Sequence, residues 1–228
     1  MTTLAKILVT FLLSVLCFSC NFVFDGIKGQ GEVIKKERII NKKFDAVKAS
    51  KGLDVILVKN SDQKVIVDAN ENLHDHIKIY VEGNTLYVTS DDNIYYADEK
   101  SVYISYNKIN KVSVNSGASI SSREAVIQKD LDINATSGAD VRLKIKAETV
   151  TTSVTSGAMI DLTGKVNKHS ANATSGANIR AEKLLSLVSK AKATSGASIK
   201  IHAKEEFTGK ATSGADVVYY GKPEKVSE

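Results

Sequence analysis

The sequence predicts an all-β protein that folds as a parallel β-helix, a β-solenoid with coils of about 20 residues. A motif centred on Ser-Gly-Ala occurs six times in the second half of the chain, at intervals of 21, 19, 19, 20 and 18 residues. The glycines of the six copies are Gly117, Gly138, Gly157, Gly176, Gly196 and Gly214. A period near 20 that recurs this often is typical of a solenoid, in which neighbouring coils bury a common core.

The pattern within one copy favours strands over helices. From Leu131 to Ile145, apolar or small residues occupy the odd positions, and polar residues or glycine occupy the even positions. An alternation of period two is typical of a strand with one buried face. Alignment of the copies predicts two inward columns, one of serines and one of alanines. These are Ser116, Ser137, Ser156, Ser175, Ser195 and Ser213, and Ala118, Ala139, Ala158, Ala177, Ala197 and Ala215.

The repeated glycines are predicted to lie at a corner of each coil. On the crowded inner side of a bend only small residues such as Ser and Ala fit, whereas Gly on the convex side permits a backbone angle that a side chain disfavours. The serine hydroxyls would hydrogen-bond along their column or to corner carbonyls. We interpret the motif as scaffold and not as a site of catalytic serines, since no His or Asp recurs beside it in the repeat.

The N-terminus is predicted to direct export and membrane attachment. Residues 7–19 form an apolar run of thirteen residues, which matches a secretory signal and is too short to span a bilayer. Residues 16–20 resemble a bacterial lipobox, with Cys20 as the lipidated first residue of the mature protein. Ordinary cleavage near Ser19, without lipid, is the alternative. The predicted segments are therefore a signal peptide at 1–19 and a lipid-anchored tether at 20–31.

The first half of the mature chain is predicted to form less regular coils of the same β-helix. Residues 49–55 align with the last copy of the motif, which makes Gly52 an earlier corner. The 65 residues from Gly52 to Gly117 leave room for about three coils. Strands are predicted at 53–58, 64–67, 77–81, 86–89 and 102–105, with a tight turn at 82–85 and a short helical turn at 70–76. The predicted domain boundaries are 32–110 for irregular coils, 111–220 for regular repeats, 32–221 for the whole domain and 222–228 for a tail.

Several segments outside the repeats point to a known family. They are Phe44–Val47, Gly52–Leu57, Asp68–Leu73 and Glu82–Leu86. Together with the serial Ser-Gly-Ala corners, they resemble the family of "putative auto-transporter adhesin, head GIN" domains. The resemblance covers about residues 31–220 and implies a right-handed parallel β-helix in an exported, often lipid-anchored protein of Bacteroidetes type. The family name implies adhesion, although its members have no established activity.

Composition excludes several classes of function. The chain is 43% hydrophobic with a formal net charge of +5, so it is neither disordered nor strongly basic. Its two cysteines, Cys17 and Cys20, leave the body of the protein without a thiol for nucleophilic, metal or redox chemistry. The small charge and the predicted export argue against a nucleic-acid partner. No cofactor is predicted.

A catalytic site is not predicted, although parallel β-helices also support polysaccharide lyases and hydrolases. Such enzymes need convergent carboxylates, or a metal and a base, in a cleft walled by long loops. The coils of the repeat are nearly minimal and carry no long insertion. Asp140 and Asp216 occupy equivalent positions four coils apart, roughly 19 Å at strand spacing. This separation is too large for a carboxylate pair that acts on a glycoside.

The four histidines do not predict a metal site. The i, i+2 spacing of His74 and His76 would place both rings on one face of a strand, but no third ligand lies nearby in the sequence. His169 and His202 are isolated, and we expect both at the surface.

Tyrosines mark the place where a ligand surface is most expected. Six of the eight fall between Tyr80 and Tyr106, and aromatic platforms bind sugars or partner proteins. The candidate surface consists of Tyr95, Tyr96, Tyr103 and Tyr106. Cross-strand packing of tyrosines in an ordinary sheet is the alternative.

The open end of the β-helix is a second candidate contact. A solenoid ends in unpaired strand edges, which need a cap or recruit another chain. Tyr219 and Tyr220 follow the last coil, and they would either cover this end or dock on a second copy in an end-to-end homodimer.

The sequence therefore predicts a non-enzymatic, lipid-anchored β-helix protein of the cell envelope, with an adhesin-like binding or scaffolding role and a glycan or protein ligand. The alternative is a carbohydrate-binding module or a polysaccharide-active enzyme on the same scaffold. No acidic export signal follows Cys20 in residues 21–24, so the periplasmic face of the outer membrane is favoured slightly over the cell surface.

Overall fold

The computed structural model describes residues 26–227, most of which lie in strands. The predicted signal peptide and Cys20 lie outside the described residues. In chain order the strands are β1 Ile27–Lys28, β2 Val33–Arg38, β3 Ala46–Ala49, β4 Asp54–Lys59, β5 Val65–Asn70, β6 Ile77–Glu82, β7 Thr85–Ser90, β8 Ile94–Tyr96, β9 Lys100–Tyr106, β10 Lys111–Val114, β11 Ser119–Ser122, β12 Val126–Ala135, β13 Asp140–Val154, β14 Met159–Ala173, β15 Asn178–Thr194, β16 Ser198–His202, β17 Glu206–Thr212, β18 Asp216–Tyr220 and β19 Lys225–Ser227. A 3-10 helix at Glu71–Asp75 joins β5 to β6.

The second half of the chain is a parallel β-solenoid, as the repeat predicts. Consecutive coils stack in register, and β13 pairs with β14 from Asp140 opposite Met159 to Val154 opposite Ala173. One register shift interrupts the pairing of β14 with β15, between Asp161 and Thr163. The apolar positions of the period-two pattern face inward and form one continuous core along the solenoid. The predicted fold class is therefore confirmed.

The small residues of the motif divide between the inside and the outside of the coil. Five alanines of the predicted column are buried, with Ala118, Ala158 and Ala177 fully inaccessible, and Ala215 in the last turn is partly buried. The prediction of an inward serine column is wrong, because every one of these serines is exposed. Each serine has a positive φ, between 51° and 58°, which turns its side chain away from the core.

Two consecutive left-handed residues explain this arrangement. Ser156 and Gly157 have φ values of 55° and 70°, and Ala158 donates its N–H to the carbonyl of Thr155 over 3.3 Å. Left-handed conformations at both central positions define a type I′ turn, which favours Gly at the second of them. A Cβ on Gly157 would meet nothing within 4 Å, so the glycine is needed for its backbone angle and not for space.

The turns also bond to one another from coil to coil. Gly157 donates its N–H to the carbonyl of Ser175 in the next turn over 3.1 Å, and Gly138 donates to Ser156 over the same distance. The same bond joins Gly52 to Ser116 over 3.0 Å. Stacked turns therefore form a backbone ladder along one edge of the solenoid.

The bond between Gly52 and Ser116 overturns the expectation of about three coils between Gly52 and Gly117. Strands β3 and β4 pair directly with β10 and β11, so the two corners are neighbours. The intervening chain folds onto the opposite side of the first coil, where β7 pairs with β3 and β9 pairs with β4. Because coil order in space differs from chain order here, counting residues between glycines gives the wrong number of coils.

The far side of this first coil carries an antiparallel cap. Strands β6 and β7 form a hairpin, β5 pairs antiparallel with β9, and β2 pairs antiparallel with β5. The predicted strands, the tight turn and the helical turn of this region are confirmed within a few residues. Residues 27–28, predicted as part of the tether, form β1 and pair with β8.

The C-terminal end has no comparable cap among the described residues. Strand β18 pairs with β16, and β19, which lies in the predicted tail, pairs with β17. Tyr219 stacks on Phe207 with ring centroids 4.4 Å apart, yet it remains 37% exposed. The core is therefore only partly covered at this end.

Candidate binding surfaces

One outward column of side chains crosses the solenoid on the strands that precede the type I′ turns. In register these residues are Tyr80, Tyr87, Lys48, Ser113, Asn134, Ser153, Asn172, Lys192 and Lys210. The four central members are uncharged hydrogen-bonding residues, and a column of threonines runs beside them two residues further along each strand. We call these two columns the polar strip: Ser113, Asn134, Ser153 and Asn172 with Thr136, Thr155 and Thr174.

The polar strip is shallowly concave along its length. Three depressions of about 360, 160 and 240 Å³ follow one another along this face. The first shares Ser113 with the second, and the second shares Ser153 with the third. Neighbouring depressions along this face therefore share a lining residue.

A pair of stacked tyrosines lies at the capped end of this column. The rings of Tyr80 and Tyr87 are 5.0 Å apart and nearly parallel, with 3° between their planes. The Nζ of Lys48 lies 5.4 Å from the centre of the Tyr87 ring. This pair lies outside the surface predicted from the sequence. The signal was available, since both tyrosines lie equally far from the predicted turn and must face each other across a hairpin.

Two tyrosines of the predicted surface are exposed at the cap. Tyr95 and Tyr96 are 49% and 50% exposed on β8. The Tyr96 hydroxyl donates to a carboxylate oxygen of Asp98 over 3.1 Å, and this hydrogen bond raises the pKa of Tyr96. The Nζ of Lys28 lies 5.2 Å from the centre of the Tyr96 ring.

The other two tyrosines face opposite sides of β9. Tyr103 points outward between Lys35 and Arg123, whose charged groups lie 5.9 and 5.4 Å from its ring centre. Tyr106 is only 1% exposed and belongs to the core, so its assignment to a ligand surface is wrong. Residues three apart on a strand point to opposite faces, which is why the two rings cannot share a surface.

Another groove lies among the loops that precede β3 and follow β4 and β9. It has a volume of about 620 Å³ and is lined mainly by Asn, Lys, Asp and Ser side chains. Asp45 at its edge is already engaged, because its carboxylate accepts hydrogen bonds from the amides of Asn84 and Asn110. Gln63 is likewise paired with the backbone of Phe44. Much of this polarity therefore holds loops together.

The histidines do not converge. The Nε2 of His74 is bonded to the carbonyl of Ile34 in the interior, while the Nδ1 of His76 lies 2.9 Å from Asp92 near the surface. Within residues 26–227, no three His, Cys, Asp or Glu side chains are grouped to hold a metal ion. The expectation of a surface position for His169 is wrong: it is 2% exposed, with Nε2 3.1 Å from the hydroxyl of Thr152.

Burial lowers the pKa of His169 to about 4, so this side chain is neutral at neutral pH. Its register partner is Val150, an inward residue of the preceding coil. Alignment of successive repeats would therefore have placed His169 inside. His202 is only partly buried, and its Nδ1 has no hydrogen-bond partner within the described residues.

The carboxylates of the repeat stay separate. Three strands of the ladder lie between Asp140 and Asp216, as the repeat spacing predicts. Asp140 instead pairs with Arg142 over 2.7 Å. In the described part of the chain, these two carboxylates form no catalytic pair.

Comparison with known proteins assigns this chain to a protein family. The family model described as "Putative auto-transporter adhesin, head GIN domain" matches residues 43–223. The chain belongs to the head GIN domain family. The match begins just before β3 and includes β5, β6, β7 and β9 of the cap as well as the coils from β10 to β18. A comparison with curated proteins finds no match.

Solved structures share the head GIN fold at low sequence identity. A "putative adhesin" from Bacteroides fragilis is 16% identical with a TM-score of 0.82, over 89% of this chain and 94% of its own. A "putative adhesin" from Parabacteroides distasonis is 17% identical with a TM-score of 0.67, over 89% and 99%. A "putative lipid binding protein" from the same species is 14% identical with a TM-score of 0.63, over 89% and 99%.

The family description supports an adhesin-like, non-enzymatic role and an exported or cell-envelope location. Among residues 26–227, no helix has the length and apolar character required to cross a membrane.

Proposed function

We propose that this protein is a lipid-anchored adhesin of the cell envelope that binds an extended, hydroxyl-rich ligand, such as a linear glycan, along its polar strip. The observation that carries this proposal is the register column of Ser113, Asn134, Ser153 and Asn172 on successive strands, with adjoining shallow depressions along it. A sugar unit would meet the same kind of side chain at each step along the solenoid.

The chemistry of the polar strip suits such a ligand. Amide and hydroxyl side chains both donate and accept hydrogen bonds, as sugar hydroxyls do. Strand spacing of roughly 4.8 Å repeats these groups at intervals comparable to the length of one sugar unit. At the capped end, the exposed ring of Tyr80 supplies an apolar platform for a sugar face. Each contact is weak, so affinity would come from many of them together.

Binding is favoured over cleavage in this proposal. The central column holds no carboxylate in the part of the chain that the structure describes. Asp132, the nearest acid on a neighbouring column, already pairs with Lys111 over 3.6 Å. A polysaccharide-active enzyme would need two convergent carboxylates, or a metal site, on the polar strip.

A glycan array tests the proposal. Chain 21–228 keeps every described strand and serves as the probe, beside the variant Asn134→Ala/Asn172→Ala. We expect saturable binding of a linear glycan that falls at least tenfold in this variant. The matched control is Tyr95→Ala/Tyr96→Ala, two exposed tyrosines away from the polar strip, which should bind as the parent does. Binding lost only in the tyrosine variant would move the site to β8, and an array without binding would favour a protein ligand.

Attachment through Cys20 is part of the proposal, with the protein on the periplasmic face of the outer membrane. Gly26 lies six residues after Cys20, and a chain of this length reaches roughly 20 Å at most. The capped end would therefore lie close to the membrane and the polar strip would run away from it. Metabolic labelling with an alkyne fatty acid should mark the parent and not Cys20→Ser. Labelling of the variant would contradict the anchor, and surface proteolysis of whole cells would test the membrane face.

We further propose weak end-to-end association of two copies through β18. Among the described residues no strand pairs with the second edge of β18, and its core-facing Val217 and Tyr219 are only partly covered. Antiparallel pairing of β18 with its symmetry copy would cover both. Light scattering at high concentration should give a dimer mass that Val218→Pro reduces to the monomer. A monomer mass for the parent would end this proposal.

A further inference from the structure

The second corner of the regular coils, opposite the type I′ turns, carries a groove that differs chemically from the polar strip. It has a volume of about 540 Å³ and none of its lining residues belongs to the polar strip. Its lining includes the lysines Lys146, Lys165 and Lys204, and the apolar residues Val166, Leu185 and Leu187. No carboxylate of the described residues lines it. We call it the corner groove.

The lysines of the corner groove are stacked without counter-charges. Lys146 and Lys165 are register partners on adjacent strands, so their side chains leave the same outward column one strand spacing apart. Like charges directly opposite each other destabilise a sheet. Lys204 lies at the far side, where its N–H bonds to the carbonyl of Ser186. Within the described residues, none of these three lysines forms an ion pair.

Outward cationic side chains of the solenoid are compensated at some positions and not at others. Asp161 lies between Arg142 and Arg180 in the column that follows the type I′ turns, and Lys111 pairs with its register partner Asp132. Arg180 with Lys200, and Lys192 with Lys210, are like-charged register partners, as Lys146 and Lys165 are. An anion bound in the corner groove would supply negative charge between its lysines.

The outward column that contains Lys146 and Lys165 is apolar on both sides of these two lysines. Its successive members are Ile127, Lys146, Lys165 and Leu185, and the two apolar side chains are 59% and 46% exposed. Val166 forms a buried floor between the lysines and Leu187. A ligand that fits this sequence of surfaces has an anionic head and an apolar chain.

His202 also lines the corner groove. Its Nδ1 is buried and has no hydrogen-bond partner within the described residues, so this atom is not open to a ligand in the groove. The hydroxyls of Ser186 and Ser189 both donate to the backbone carbonyl of His202 and hold the backbone at this wall.

We propose that the corner groove binds a single-chain amphipathic anion, with its carboxylate or phosphate between Lys146 and Lys165 and its alkyl chain on Val166, Leu185 and Leu187. The charge complementarity selects an anion over a neutral lipid, and the apolar flanks select an alkyl chain over a free inorganic ion. This ligand is independent of the polymer proposed for the polar strip.

Calorimetry on chain 21–228 tests the proposal with dodecanoate below its micelle concentration. We expect one saturable site, at least tenfold weaker binding in Lys146→Gln/Lys165→Gln, and binding at least tenfold weaker for dodecanol and for inorganic phosphate. The matched control Lys144→Gln/Lys190→Gln removes two exposed lysines that do not line the groove and should bind as the parent does.

Four results would overturn the proposal. Equal affinity for dodecanol would show an apolar site only, and equal affinity for phosphate would show a simple anion site. Equal losses in both lysine variants would indicate general attraction to a basic surface. Retention on vesicles of anionic phospholipid without binding of monomeric dodecanoate would assign the groove to a membrane surface. Circular dichroism of each variant, compared with the parent, separates lost binding from lost folding.

Discussion

The regular coils and the antiparallel cap bury their cores by different means. In the regular coils, each strand pairs with its equivalent one repeat later, so β13 meets β14 at almost every residue. In the cap, β9 pairs with β4 on one side and with β5 on the other, and these strands begin 46 and 35 residues before β9. The coils therefore depend on a local repeat, whereas the cap depends on pairings that no repeat encodes.

This difference has a consequence for each end. The cap closes one end of the solenoid with β2 and β6 as edge strands and a 3-10 helix between β5 and β6. The last regular coil leaves β18 with one neighbour and its apolar side chains partly exposed. A repeat array can be longer or shorter by one coil, but its terminal coil stays open unless a capping structure of different sequence covers it.

The largest expected effect comes from deletions of equal length in the two regions. Removal of residues 158–176 takes out one coil and joins Gly157 to Ala177, so β13 can stack on the next coil in the same register. We expect this variant to fold with a lowered melting temperature. Removal of residues 65–83 takes out β5 and β6, and we expect no cooperative unfolding transition. Circular dichroism with thermal melting distinguishes them, and equal behaviour would contradict the comparison.

Gly164→Ala should be the most damaging single substitution in the regular coils. Gly164 has a φ of 120°, and a Cβ there would overlap the backbone carbonyl of Ile145 in the preceding coil. We expect a loss of about 4 kcal/mol in the free energy of unfolding, measured in urea. Gly83→Ala in the cap is the control, since a Cβ there meets nothing within 4 Å. It should cost about 1 kcal/mol. A larger loss of unfolding free energy for Gly83→Ala than for Gly164→Ala would contradict this expectation.

The buried His169 should make the stability of the coils depend on pH. Its pKa is about 4 in the folded protein and near 6.5 when unfolded, so below pH 6.5 the unfolded chain binds a proton that the folded one excludes. Stability should be complete above pH 6.5 and fall by about 3 kcal/mol as pH drops to 4.

Urea unfolding between pH 7 and pH 4 measures this loss. His169→Gln, whose amide can still bond the Thr152 hydroxyl, should lose much less stability across that interval. A parent and a variant with parallel pH profiles would show that the histidine does not titrate as its burial requires.

Gly157→Val tests the turn ladder and should have the smallest effect of the four. The site is open, so the cost is the left-handed backbone alone, and we expect a loss of about 2 kcal/mol. Gly157→Asn should lose less than about 1 kcal/mol, because Asn tolerates this conformation. Unchanged urea midpoints in both variants would remove the backbone argument. Equal losses in both would point to a steric cause instead.

Much of the regular region could be predicted because its information is local. The alternation from Leu131 to Ile145 fixes which side chains face inward, and the alanine column follows from it. The serine column was predicted wrongly because the strict alternation was carried through the turn. Ser137 and Gly138 have left-handed backbone conformations, so Ser137 points outward although the alternation would place it inside. The next inward residue is Ala139.

The candidate surfaces were less predictable, because each combines residues from distant strands. Tyr103 and Tyr106 look equivalent in sequence, yet the pleat sends one outward and the other into the core. The corner groove combines Lys146 of β13 and Lys165 of β14 with Lys204, which lies in the layer after β15. Nothing in the charge pattern of one repeat indicates that these three lysines lie near each other.

By itself, the sequence determined the fold class, the repeat length and the inward face of each strand, since these follow from periodicity within about 20 residues. Only the tertiary structure decided that the corner at Gly52 stacks directly on the corner at Gly117, with β7 and β9 on the other side. The physical reason is that a strand edge accepts any partner of suitable register. The choice among partners depends on which pairing buries the most apolar surface across the whole chain.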